Sequence, residues 1–182
     1  MSNPLTPDQY IIALRDDLQP WIADRKGYLS VAGDVGELIE YLADKPRTFR
    51  VVLNYAGDRN RVDEGGEEAA IGDVTWEVFL VKAKGLRLVP GDHLIEPAGD
   101  GSGDVAFLKL VSDLRDRVRS ITWPCDPDGS QGGGVTYGHA LYKEGAWVDL
   151  GKDAEVVAFR LTFDLIAVLS YSGYRDTSSL FT

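Results

Sequence analysis

The chain has 182 residues, a hydrophobic fraction of 44% and a net charge of −10 from 19 Lys+Arg against 29 Asp+Glu. That length fits one domain, or one domain with large loops, and the apolar content is enough to build a core. So acidic a chain repels nucleic acid unless its cations gather on one face; its single cysteine excludes an internal disulfide framework, and no apolar run approaches the roughly 20 residues that cross a bilayer. The opening MSNPLTPDQY lacks a basic region followed by an apolar run, so no signal peptide is expected, and a reducing, cytoplasmic setting suits the lone thiol.

The first predicted helix begins with Thr6 as N-cap, Pro7 at the first helical position and Gln9 three residues after the cap, a capping box. Tyr10, Ile11, Leu14, Leu18 and Trp21 or Ile22 recur at helical spacing, and Pro20 is expected to end or bend the helix. A short extended piece over 28–31 follows. Asp34 is placed to cap a second helix whose apolar stripe is Leu38, Ile39 and Leu42, with Pro46 beyond its end. Phe49 to Tyr55 is a compact apolar run suited to a central strand.

Residues 57–73, GDRNRVDEGGEEAAIGD, hold six acids, two bases and four glycines, too little apolar surface to bury, and are predicted as a mobile acidic loop. Val74 to Lys84, rich in aromatic and β-branched residues, is the second long strand. A second Gly- and Asp-rich loop, 90–103, precedes a third helix expected from about Asp104 to Ile121. Its buried stripe is Phe107, Leu108, Val111, Leu114, Val118 and Ile121. Pro124 stops it.

After a Gly-rich turn, strands are predicted over Val135–Tyr142 and Trp147–Leu150, then the clearest strand, Val156 to Leu169. There Val157, Phe159, Leu161, Phe163, Leu165, Ala167 and Leu169 alternate with Arg160, Thr162 and Asp164 among others, so one face packs on helices and the other meets water or a partner. At about 3.3 Å per residue it spans on the order of 45 Å, long enough to project toward a neighbouring sheet. The sum is a single α+β domain over 1–182, a mostly antiparallel sheet with helices on one face. Residues 171–182 form a C-terminal arm, with Tyr171, Tyr174 and Phe181 as anchors, that frays or orders on a partner.

The residues that carry chemistry elsewhere do not converge here. His93 and His139 lack neighbouring ligands at zinc spacing. Asp126, Asp128 and Gly129 start like a calcium loop but lack its third ligand position and its closing Glu. Gly132, Gly133 and Gly134 follow a turn, not a strand, and no Lys-Ser or Lys-Thr pair comes after them to hold phosphate. Cys125, beside Pro124, reads as a packed small hydrophobe more readily than as a nucleophile paired with His139. Lys109, Arg115, Arg117 and Arg119 alternate with Asp113 and Asp116, the pattern of intrahelical pairs on a wet face. No catalytic, metal or cofactor residue is assigned. The surface feature that stands out is the acidic segment with Asp58, Arg59, Arg61, Asp63, Glu64, Glu67 and Glu68, which is either disordered, docks on a neighbouring subunit or lines a channel with negative charge.

The block AGDVGELIEYLADKPRTFRVVLNYAG, followed in order by WEVFLVKAKGLR and FLKLVSDLRDRVRSI, resembles the Mu-like phage tail-terminator, or tail-completion, family. The likeness runs over about 7–170; the acidic insertion at 57–73 and the extended C-terminus depart from it. The resemblance implies an α+β subunit of a homohexameric ring at the tail–neck junction of the virion. That ring caps the tail tube, halts its polymerisation, and meets the neck or head-completion proteins and, in contractile systems, the last sheath ring. DNA passes through it without sequence-specific binding, and no cofactor or membrane is involved. A head–tail joining or tail-tube subunit on a related fold is the competing expectation. In the tail-terminator ring, residues 57–73 and 90–103 are expected to contact partners or face the lumen.

Overall fold

A computed structural model describes residues 7–62, 68–83, 106–121, 140–151 and 153–168. The expected loop 90–103, the C-terminal arm with Tyr171, Tyr174 and Phe181, and Thr6, Asp63, Glu64, Glu67, His93, Asp104, Cys125, His139 and the 126–134 turn lie outside these residues. The elements are α1 (Pro7–Asp24), β1 (Tyr28–Ala32), α2 (Val35–Ala43), β2 (Phe49–Val62), β3 (Glu68–Ala83), α3 (Phe107–Ser120), β4 (Leu141–Trp147) and β5 (Val156–Val168). The strands form one sheet in the order β1-β2-β3-β5-β4. Only β1 and β2 run parallel; the other neighbours are antiparallel, so the class is α+β with a mostly antiparallel sheet, as the sequence predicts.

Helix α1 buries Leu14, Leu18 and Ile22 at i, i+4, i+8, the stripe its sequence prescribes. It continues through Pro20 to Asp24. Proline removes one backbone hydrogen bond, but burying Ile22 on the far side holds the last turn in place. The helix instead ends where Lys26 turns left-handed at φ 58. There the Lys26 amide donates to the Ala23 carbonyl at 2.9 Å and the Gly27 amide to Ile22 at 3.0 Å, a Schellman closure with a lysine at the position glycine favours. The Thr48 hydroxyl donates to the Lys26 carbonyl, and the Phe49 ring lies against Gly27.

The next segment forms a β–α–β unit. The extended piece at Tyr28 is β1, paired in register with β2 from Tyr28↔Arg50 to Ala32↔Asn54. Between them, Asp34 accepts from the Glu37 amide at 2.9 Å while the Glu37 carboxylate accepts from the Gly33 amide at 2.8 Å, a reciprocal N-terminal cap for α2. Arg50 fastens the other end of this helix. Its guanidinium donates to the Tyr41 carbonyl at 3.3 Å, pairs with Asp44 at 2.6 Å and lies 5.6 Å from the Tyr41 ring centroid.

Two apolar clusters sandwich the sheet. On one face α1 and α3 cover Val51, Leu53, Val74, Trp76, Val78, Leu80, Leu161, Phe163 and Leu165. On the other, α2 covers Val52, Phe79, Val81, Val156 and Ala158 near one end only. The expectation of helices gathered on one face thus describes α1 and α3, while α2 crosses to the opposite face because it connects two adjacent parallel strands. Two stripe residues also turn outward. Ile39 is 61% exposed, since Leu38, Tyr41 and Leu42 face the sheet, and Leu108 is 43% exposed, its inward place on α3 taken by Leu110.

The predicted loop at 57–73 is largely strand. β2 continues to Val62 and β3 begins at Glu68, with pairs from Gly57↔Thr75 through Asn60↔Gly72 to Val62↔Glu68. Ladder hydrogen bonds are made by backbone alone, so a register set by the buried pairs at 49–55 propagates through a polar sequence without needing apolar side chains. Irregularities at Tyr55/Gly57 and Asn60/Val62, with Gly57 at φ 127, bend this hairpin where it leaves the core. Of the strands expected near the C-terminus, residues 135–139 of the first run lie outside the described residues; β4 takes Leu141–Trp147, overlapping the end of that run and the start of the run at Trp147, and β5 spans almost the whole alternating stretch.

Candidate assembly surfaces

The β2–β3 hairpin is the first surface. β1 flanks β2 only over Arg50–Asn54, so from Tyr55 to Val62 the outer edge of β2 has no strand beside it among the described residues. Backbone donors and acceptors on such an edge are available to another chain. Asp58, Arg59 and Arg61 lie on this edge, and Glu68 stands opposite Val62 on β3. At its base, the Tyr55 ring meets the Trp76 ring at 5.0 Å with the planes tilted by 53°, and its hydroxyl donates to Asp58. Burial chiefly, then that hydrogen bond and the Asp58 charge, push the Tyr55 phenol up to about 12.

Strand β5 does not project alone: β3 pairs with it from Ile71↔Val168 to Ala83↔Val156. Its alternation divides the two faces as the sequence predicts. Leu161, Phe163 and Leu165 enter the core, while Arg160, Thr162 and Asp164 join a polar ladder on the α2 face, beyond the reach of that helix. Arg160 pairs with Glu77 at 3.2 Å and with Glu144 at 3.0 Å, and Asn54 donates to Glu77 at 2.9 Å, so one chain of contacts crosses β2, β3, β5 and β4. A second joins Thr75, Asp164 and Lys143, each at 2.9 Å. Thr162 pairs in register with both Glu77 and Glu144, yet its hydroxyl is buried without a hydrogen bond. These cross-strand pairs hold the strands in register, and their charges are satisfied within the chain.

The third surface lies at the other edge, where α3 meets β4. An aromatic row crosses the sheet here on the α1/α3 face: Tyr55, Trp76, Phe163 and Tyr142 are successive cross-strand partners. Farther along β4, Trp147 stacks on Phe107 at 5.6 Å and meets Phe159 edge-on at 5.1 Å. Arg115 lies 5.8 Å from the Tyr142 ring centroid. Beside it opens a shallow cleft of ≈ 620 Å³ lined by Asp116, Arg119, Ser120, Ala140, Leu141 and Tyr142. Leu141 and Tyr142 remain 48% and 36% exposed. On α3, Lys109 pairs with Asp113 and Arg115 with Asp116, as the spacing predicts, while Arg117 reaches across to Asp17 on α1 at 2.7 Å. Arg119 has no ion-pair partner among the described residues.

Sequence reading located the acidic segment but not the α3–β4 cleft. Arg119 and Tyr142 lie far apart in the chain, and only the pairing of β4 with β5 brings them together. Among the described residues, no group of three or more His, Cys, Asp or Glu is placed to hold a metal ion, and no helix is long and apolar enough to cross a membrane. The chain matches no protein-family model, and no curated protein matches it significantly.

Proposed function

We propose that this chain is a virion assembly subunit, one protomer of a homohexameric ring that caps a phage tail tube, stops its growth and joins it to the neck. The observation that carries the reading is how the tail-terminator-like block folds. It makes a parallel β–α–β unit that runs straight into a polar hairpin whose outer edge has no strand beside it among the described residues. A subunit that must stay soluble before assembly needs contact elements of this kind, made of backbone edges and charges with few exposed apolar groups. The net charge of −10 suits a ring through which DNA slides, because repulsion keeps the duplex from sticking to the wall. The function follows from shape and requires no bond-making residue.

Negative-stain electron microscopy of the purified full chain, alone and with polymerising tube subunits, tests the reading. Short rings and arrested tubes are expected. Long cylinders formed by the chain itself would identify a tube subunit, and rings that bind neither tube end would indicate a head–tail joining role. In a cryo-EM map of an assembled tail, residues 57–73 and 90–103 are expected against a neighbour or the lumen; both in bulk solvent would defeat the proposal.

A further inference from the structure

We infer that the sheet of one copy continues into the next, the outer edge of β4 pairing antiparallel with the outer edge of β1 on a second copy of this chain. The inference rests on the ring reading above and names the strands that meet. In the order β1-β2-β3-β5-β4 these two strands end the sheet, and among the described residues neither has a strand on its outer side. β1, β2 and β5 run one way, β3 and β4 the other. Copies around a ring whose axis follows the strands all point the same way. β4 of one therefore meets β1 of the next antiparallel, a head-to-tail contact that can close. Each copy has one edge of each kind, so this pairing fills both, whereas a foreign strand on one edge leaves the other open.

The two edges match in height and in face. The cross-strand row that starts at Leu29 runs through Val51, Leu80 and Phe159 to Trp147; the rows above it join Ser30 to Ala146, Val31 to Gly145 and Ala32 to Glu144. Continuing these rows across the junction sets Trp147 beside Leu29 on the α1/α3 face. Leu29 already packs on that core, and Trp147 is 51% exposed. Tyr28, 49% exposed, comes beside Val148 on the α2 face, since Val148 bonds to Ala158 in the row of Tyr28. Both aromatic side chains lose water when the junction forms. Glu144 falls beside Ala32, so no like charges oppose. A slip of two residues, as strand tilt imposes, leaves every side chain on its face.

Neither edge carries the usual guards against pairing. Sheets that stay single place charges, proline or bulges on their edge strands. β1, YLSVA, has no charge and no proline. β4 has a bulge at Tyr142/Glu144, but Lys143 there is drawn to Asp164 at 2.9 Å and Glu144 to Arg160 at 3.0 Å, and Gly145, Ala146 and Trp147 carry no charge. The Val148 amide donates inward to the Ala158 carbonyl at 3.0 Å, so by strand alternation the Trp147 and Gly145 amides point out from the edge.

Cross-linking of the full chain tests the pairing. In a Cys125→Ser background, Ser30→Cys and Ala146→Cys are made singly and together, and a short bismaleimide is added at concentrations where sedimentation velocity shows association. The double variant is expected to give a covalent ladder of dimers and larger species, the mixture of the two single variants dimers only, and each single variant alone none. Hydrogen exchange on the unmodified chain is a second readout: the Gly145 and Trp147 amides are expected to slow about tenfold or more on association. No cross-link in the mixture, Ala146→Cys joining to itself as readily, or unslowed exchange at both amides overturns the inference. Rings seen by electron microscopy despite those results leave the ring reading intact. A chain that stays monomeric at every concentration overturns the inference, and if it also fails to bind tube ends the ring reading falls separately.

Discussion

Gly27→Ala probes the point where α1 hands over to the sheet. A Cβ built at Gly27 lies 2.4, 2.5 and 2.9 Å from three atoms of the Phe49 ring, well inside van der Waals contact. The ring cannot swing away freely, because Phe49 is 4% exposed and packs in the main core. Overpacking of this kind costs about 1–3 kcal/mol. Replacing glycine also makes the unfolded chain less disordered, which offsets about 0.4–1 kcal/mol. A net loss of about 1–2 kcal/mol is expected, and for a chain of this length each kcal/mol lowers Tm by about 2–4 °C. Urea unfolding followed by tryptophan fluorescence measures it, since Trp76 is buried. The clash has a named partner, so a double-mutant cycle isolates it. In a Phe49→Leu background the added methyl has room, and Gly27→Ala is expected to cost little or nothing, a coupling of about 1 kcal/mol or more. Equal losses in both backgrounds, or a Gly27→Ala protein as stable as wild type, would refute the reasoning.

Three further outcomes are expected. Lys26→Gly is stabilising by about 1 kcal/mol, because Lys26 holds φ 58 at the Schellman position and only glycine adopts it without steric cost; the midpoint of urea unfolding reads the gain. Thr162→Val removes a buried hydroxyl with no partner while keeping the branched shape a strand favours, and raises stability by about 1 kcal/mol in the same measurement. Tyr55, pushed up to about 12, keeps its neutral phenol in the fold longer than in the unfolded chain. Its contribution is complete below about pH 10 and is lost as pH rises through about 12. NMR titration of ring-labelled tyrosine, assigned with Tyr55→Phe, reads that value, and Asp58→Asn is expected to lower it without returning it fully to normal, since burial remains the largest cause.

Much of the scaffold is legible in residue order. The Leu14–Leu18–Ile22 stripe, the Asp34 cap and the alternation of Leu161, Phe163 and Leu165 with Arg160, Thr162 and Asp164 are local periodicities that each report a buried face directly. The termination of α1 was less legible. Pro20 is a strong local stop signal, yet the buried Ile22 beyond it keeps the chain helical as far as Asp24. Polar composition likewise suggested a loop at 57–73, because propensity scores side chains and says nothing of a ladder extended from paired residues next to it.

The sequence by itself determined which faces of α1, α3 and β5 are apolar, since that depends only on helical and strand spacing. Tertiary structure alone decided that α2 crosses to the second face, that Glu77, Arg160 and Glu144 meet, and that Arg119 and Tyr142 share a cleft. Those contacts depend on strand order and register, which join residues distant in the chain through backbone pairing that leaves no mark on local composition.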